Sequence, residues 1–191
     1  MEQAGGTAQA RVANAGPSPG PSPSVIVVMG VSGTGKSTLG ALLATALHAP
    51  FLEGDTFHAP ASVAKMERGL PLTDDDRWPW LDRLGTALGA AAREHGAAVA
   101  ACSALRRAYR ERLAAAAGVP LRFAFLDTER DEIARRMRAR SGHYMPPSLL
   151  DSQLATLERP GPDEPALRLD AGQAPERLYE DVRMWLETVV A

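Results

Sequence analysis

The chain holds a single cysteine, Cys102, among 191 residues. One cysteine cannot close an intrachain disulfide or build a cysteine-cluster metal site, and it fits a reducing compartment. No apolar run approaches the roughly 20 residues that span a bilayer. The N-terminus lacks the basic start and apolar stretch of a secretory signal. An excess of one charge is missing too. The 21 Lys and Arg against 23 Asp and Glu leave a net charge of -2, so nothing global points to nucleic acid or an anionic membrane. There is no internal repeat and no Asn-Lys-x-Asp tetrapeptide of the kind that reads guanine. These absences lead us to expect a soluble cytoplasmic protein with no nucleic-acid and no membrane partner.

What is present suits one domain with a sizeable core, given the length and an apolar content of 45%. Residues 1–24 are rich in Ala, Gly, Pro and Ser, and Val12 is the only sizeable apolar residue after Met1. Such a segment cannot bury enough surface to offset its ordering entropy, so it is expected to be a disordered leader. A single domain is expected over 25–191. It opens on Val25-Ile26-Val27-Val28-Met29, an apolar run that suits a strand buried on both faces of a parallel sheet. A helix should follow, with Leu39, Leu42, Leu43, Ala46 and Leu47 at helical spacing. Further strands are expected at Pro50–Leu52, Ala97–Cys102, Arg122–Leu126 and Ala166–Leu169, with helices between. Thr128 with Asp131 three residues on has the form of a capping box. Pro175 should open a last helix striped by Leu178, Val182, Trp185 and Val189. This alternation predicts an α/β domain with a central parallel sheet flanked by helices.

Between the first strand and helix lies Gly30-Val31-Ser32-Gly33-Thr34-Gly35-Lys36-Ser37, which fits G-x-x-x-x-G-K-[ST] at every required position. Glycines let backbone N–H groups converge on phosphate oxygens, and the helix directs its positive end at the same oxygens. Gly30 through Thr38 are therefore candidate nucleotide-binding residues. Lys36 should reach the β- and γ-phosphates of ATP, and the Ser37 hydroxyl should ligate Mg²⁺. The second strand leads into Glu53-Gly54-Asp55-Thr56-Phe57-His58. Ligands gather at the carboxyl ends of strands in such sheets. Asp55 is thus placed to orient an incoming hydroxyl and accept its proton, and Glu53 to hold Mg²⁺ through water.

A long block follows from Lys65 to Leu81, and Cys102-Ser103-Ala104-Leu105 with Tyr109-Arg110 lies further on. With Gly54-Asp55-Thr56-Phe57-His58, Gly142-His143-Tyr144-Met145 and Ser152 to Glu158, these segments resemble the gluconokinase family of the thermoresistant type. That family is related to shikimate and nucleoside monophosphate kinases. The likeness covers roughly residues 25–187. The chain departs from the family pattern with Ser62 where Asn is common and Arg106 where Lys is common. The resemblance implies a three-layer P-loop fold with a small lid, ATP-dependent phosphorylation of D-gluconate to 6-phosphogluconate, and a homodimer.

A linear sugar acid needs a cationic anchor for its carboxylate and hydrogen-bonding groups for its hydroxyls. Lys65, Arg77, Arg107 and Arg110 are candidate anchors, and Asp55, His58 and Ser103 candidate hydroxyl partners. Trp78 and Trp80 read as packing residues, and Asp74 to Asp76 as including a helix N-cap. Cys102 reads as a small buried residue whose nearness to substrate would make it sensitive to alkylation. Arginines crowd residues 130–140. In the related kinases a lid follows this helix and its arginines close over ATP. This implies a lid at about 140–147, with Arg136 and Arg140 on the nucleotide and Arg136 stabilising charge in transfer.

Overall fold

The computed structural model describes residues 23–139 and 147–190, with backbone alone at 134, 136–139, 147–149 and 189–190. The leader, apart from its last two residues, lies outside this range. So do Arg140, the lid segment before Pro147, and the side chain of Arg136.

Five strands form one sheet: β1 (Ser24–Met29), β2 (Phe51–Glu53), β3 (Ala97–Ala101), β4 (Leu121–Asp127) and β5 (Ala166–Asp170). Their order is β2-β3-β1-β4-β5, and every pairing is parallel. Among the described residues seven α-helices connect and cover them: α1 (Lys36–Ala46), α2 (Pro60–Glu67), α3 (Asp74–His95), α4 (Arg107–Ala117), α5 (Arg130–Ala139), α6 (Pro147–Thr156) and α7 (Pro175–Val190). No helix among the described residues is long and apolar enough to cross a membrane.

The apolar run of β1 explains the layering. Successive strand side chains point to opposite faces. Val25, Val27 and Met29 join Leu81, Leu84 and Leu88 of α3 and Tyr109 and Leu113 of α4 in one core. Ile26 and Val28 join Leu39 and Leu43 of α1 and Leu178 and Val182 of α7 in another. The sheet is thus the middle of three layers. On the first face α3 and α4 approach so closely that a Cβ on Gly89 would sit 2.0 Å from the Ala117 carbonyl oxygen. No side chain fits there.

The boundaries differ from expectation in small, explicable ways. β1 begins at Ser24, whose amide donates to the Gly96 carbonyl at 3.2 Å. β2 is displaced to include Glu53, and β3 stops before Cys102. On α1 the buried positions are Leu39, Gly40, Leu43 and Ala44, while Leu42 and Leu47 are exposed. α5 starts at Arg130, two residues past Thr128. The N-cap of α3 is Thr73, not one of the three aspartates. Its hydroxyl accepts from the Asp76 amide at 3.4 Å, and the Asp76 carboxylate accepts from the Thr73 amide at 2.9 Å. This is a capping box with Asp in the third position. Pro79 falls past the first turn of this helix.

Candidate active site

The phosphate loop leaves the carboxyl end of the central strand β1. Gly30 has φ 138, and a Cβ there would lie 2.6 Å from the Leu126 carbonyl oxygen. Only glycine lets the chain turn so close to β4. The Gly30 amide donates to the Ser103 carbonyl at 3.3 Å, which ties the loop to the end of β3. Thr34 is buried, and its hydroxyl donates to the Val31 carbonyl at 2.9 Å. The Lys36 ammonium folds back onto the same carbonyl at 3.1 Å. Gly35 caps α1 with φ 98, and nothing lies within 4 Å of where its Cβ would be. Ser37 and Thr38 are exposed on the first turn, which contains no acid. An open, carboxylate-free helix N-terminus favours bound anions. The Ser32 amide donates to the Gln153 carboxamide oxygen at 2.8 Å, and the Gln153 amide group donates to the Ser32 hydroxyl at 3.3 Å.

The second strand ends at Glu53, and Gly54–Phe57 form a single 3₁₀ turn. Asp55 is 79% exposed there. Trp80 is buried and pins the turn by donating to the Gly54 carbonyl at 2.7 Å. Arg83 holds the Phe57 carbonyl with two donors at 2.9 and 3.0 Å. The His58 imidazole stacks on Trp80 at 4.2 Å between ring centroids. Its Nε2 lies 4.0 Å from Asp55 Oδ1, and its side chain is only 4% exposed. Burial is the largest influence on His58 and holds its pKa below the ordinary histidine value, against the opposing pull of Asp55. Its buried Nδ1 has no hydrogen-bond partner among the described residues.

Cys102 sits between the two halves. Burial pushes its thiol up to about 12, the Asp55 and Glu53 charges add to the rise, and Lys36 opposes it. All three charged groups therefore lie within electrostatic reach of the end of β3. The expected sensitivity to alkylation is reversed, because a buried neutral thiol is a poor nucleophile.

The four candidate anchors separate by partner. Lys65 reaches from α2 to both oxygens of Asp76 at 2.7 and 2.8 Å. Its hydrogen bonding, followed by that of the Thr73 amide and hydroxyl, holds the Asp76 carboxyl at about 2, below the usual carboxylate range. Arg77 donates to Asp74 at 3.2 Å and to the Tyr109 hydroxyl at 3.0 Å. Arg107 is half exposed and paired with Glu111 and Asp163 at 2.9 and 2.8 Å. Arg110 is corrected from anchor to strut. It is 2% exposed, and its guanidinium grips Glu164 at 2.5 and 2.8 Å. It also donates to the Ala104 and Glu158 carbonyls, both at 3.1 Å. Ala104 carries φ 44, a left-handed conformation that costs a non-glycine residue about 1–2 kcal/mol. Arg110 thus holds a strained turn just after Ser103.

Four residues of a neighbouring polar cluster, Asp74, Arg106, Tyr109 and Glu158, were not among the candidate site residues read from the sequence. Asp74 accepts from Arg77, from Arg106 at 2.9 Å, and from the Tyr109 hydroxyl in a short hydrogen bond. The Tyr109 bond is the largest of the influences that hold the Asp74 carboxyl below its usual range. Arg106 also donates to Glu158 at 3.3 Å. These side chains line a cavity of about 330 Å³ with Ala155, Thr156 and Leu157. The signal for Asp74 and Arg106 was present in their charge, but the cluster assembles from segments 32 and 52 positions apart.

A parallel sheet ordered 2-3-1-4-5, a phosphate loop on its central strand and an acid at the end of β2 together define a small P-loop kinase. Residues 25–160 match the AAA domain family. The chain is 49% identical over 157 residues to a gluconokinase of Gluconobacter oxydans, across 82% of this chain and 88% of that one. It is 43% identical to the thermoresistant gluconokinase of Escherichia coli, across 73% and 79% of the two chains. The solved gluconokinase of Sinorhizobium meliloti superposes with a TM-score of 0.79 at 45% identity, covering 87% of this chain and 93% of that one. The chain belongs to the gluconokinase family of P-loop kinases.

Proposed function

We propose that this chain transfers the γ-phosphoryl group of ATP to D-gluconate, giving 6-phospho-D-gluconate and ADP. The observation that carries the reading is one arrangement within a chain of this family. A phosphate loop and the exposed Asp55 flank the end of β3, and a polar cavity lined by Arg77, Arg106, Asp74 and Glu158 offers guanidinium donors to an acceptor. The acceptor hydroxyl oxygen attacks the γ-phosphorus, and its proton passes to the Asp55 carboxylate. The bond from the γ-phosphorus to the bridging oxygen breaks, and ADP leaves with the electron pair.

The amides from Gly33 to Thr38 and the positive end of α1 hold the phosphates, with Gly30 and Val31 shaping the turn and Lys36 moving from the Val31 carbonyl to the β- and γ-oxygens. The Ser37 hydroxyl and, through water, Glu53 fit a Mg²⁺ ion. Both stand at the same end of the sheet, and that ion would neutralise phosphate charge. Arg77 is the preferred partner for the gluconate carboxylate, with Lys65 the second candidate, and His58 and Ser103 would serve its hydroxyls. The family resemblance assigns Arg136, on α5, and Arg140 to the nucleotide, with a lid at about 140–147; the Arg136 side chain, Arg140 and the segment before Pro147 lie outside the described residues. The working protein is a cytoplasmic homodimer with one kinase domain over 25–191.

The test is ADP release with Mg-ATP against D-gluconate, other sugar acids, shikimate and nucleoside monophosphates. Turnover with gluconate alone is expected. Turnover with a different acceptor would overturn the substrate and keep the kinase. No turnover with any would overturn the activity.

A further inference from the structure

Residues 150–158 lie between the two halves of the site and hold both. At one end the Gln153 carboxamide grips the phosphate loop through Ser32. A backbone N–H can only donate, so the carboxamide orientation is fixed. Among the described residues the Ser32 amide has no other partner. At the other end Glu158 grips the loop that follows β3. Its carboxylate accepts from the Arg107 amide at 2.8 Å, and its own amide donates to the Leu105 carbonyl at 2.8 Å. Glu158 also holds Arg106, and through Arg106 it reaches Asp74. Between these ends Leu150, Leu154 and Leu157 pack on Val31, Leu105 and Ile133, in a small cluster that Leu157 also joins to the first core. The segment therefore shares one small apolar contact and two polar grips with the donor loop and the acceptor loop.

We infer that Gln153 is a positioning residue that couples nucleotide loading to the order of the acceptor loop. The inference rests on the reading of the phosphate loop as the ATP site. Phosphate binding orders the loop amides, and Ser32 within that loop is joined to Gln153 by two hydrogen bonds. Ordering Ser32 thus orders the strap. The strap in turn fixes Glu158 against the Arg107 amide and Arg106, which reach the acceptor cavity. Two sites linked in this way must show reciprocal coupling of their affinities.

The experiment measures amide hydrogen exchange in the full chain with and without the non-hydrolysable β,γ-imido analogue of ATP, and needs no acceptor. In the native chain the analogue should slow exchange at the phosphate loop and also at the Arg107 and Glu158 amides. In Gln153→Ala the phosphate loop should remain protected, while protection at Arg107 and Glu158 is lost. Gln153→Glu keeps an oxygen for the Ser32 amide and should restore it when the analogue is raised to saturation, which offsets the weaker binding its added charge causes. Equal protection at Arg107 in Gln153→Ala would overturn the inference, as would its absence in the native chain. An analogue that fails to bind the native chain would remove the nucleotide reading and the inference with it. A second arm titrates the analogue with and without gluconate. The native chain should bind it about fivefold tighter or more with gluconate, and Gln153→Ala should show the two affinities nearly equal. Gluconate that fails to bind the native chain overturns the substrate alone, because the exchange arm does not depend on it.

Discussion

Replacing Arg110 by Met should unfold the protein more readily without touching a substrate contact. The guanidinium is 2% exposed and the Glu164 carboxylate 9% exposed, with Nε and Oε2 2.5 Å apart. Methionine roughly keeps the volume but leaves Glu164 charged, and it leaves the Ala104 and Glu158 carbonyls without their donors. Removing one partner of a buried ion pair costs about 3–5 kcal/mol. For a chain of this size that corresponds to a Tm lower by about 6–20 °C. Urea unfolding followed by circular dichroism measures it. The pH dependence adds a check. Arg110 holds the Glu164 carboxyl below its ordinary value near 4.5. A depressed carboxylate contributes stability above the unfolded value, and that contribution is lost as pH falls through the folded one. The native chain should therefore lose stability more steeply below pH 4.5 than Arg110→Met does. Arg110→Met with native stability and a gluconate KM raised by an order of magnitude would refute the reasoning and return Arg110 to the substrate.

Lys36→Ala should reduce kcat by about 10²–10³-fold, the usual loss for one preorganised donor to transition-state charge, with an unchanged circular dichroism spectrum. Asp55→Asn should reduce kcat by about 10²–10⁴-fold, and near-native turnover would remove Asp55 from the role of base. His58 is held neutral chiefly by burial, so below about pH 6.5 the unfolded chain takes up a proton that the folded chain resists. Stability should fall as pH drops from there, and the Tm of His58→Gln should be flatter over that range. The Cys102 thiol, pushed up to about 12, should resist iodoacetamide in the native state and react once urea unfolds the chain; rapid native labelling would place the thiol in contact with solvent.

The parts of the fold that were legible in the sequence are those written in contiguous residues. The run from Val25 to Met29 had to be a strand buried on both faces, and the phosphate loop followed from eight adjacent positions. The order of strands was not legible, because it depends on which strand pairs with β1 and not on any strand's own composition. The exposed Leu42 and Leu47 show the same limit. Helical spacing gives the direction of a stripe, but its edges depend on how far the neighbouring sheet and α7 extend.

The acceptor side shows why charge alone could not be sorted. Lys65, Arg77, Arg107 and Arg110 look equivalent as letters, and each could have held a carboxylate. Their fates are decided by acids 11, 3, 4 and 54 positions away. An arginine becomes a strut when a second chain segment closes over it with a carboxylate, as residues 158–164 do over Arg110. It stays near a ligand site when its acid is itself shared, as Asp74 is between Arg77, Arg106 and Tyr109. A shared carboxylate keeps two guanidinium groups oriented, and Glu158 steadies Arg106 from a second side. An incoming sugar acid then meets donors already in place and loses less freedom in ordering them. The same logic holds for Gln153 and Ser32, 121 positions apart. Gln153 and Glu158 fall within a segment the sequence marks, but a local pattern does not say which distant segments they join.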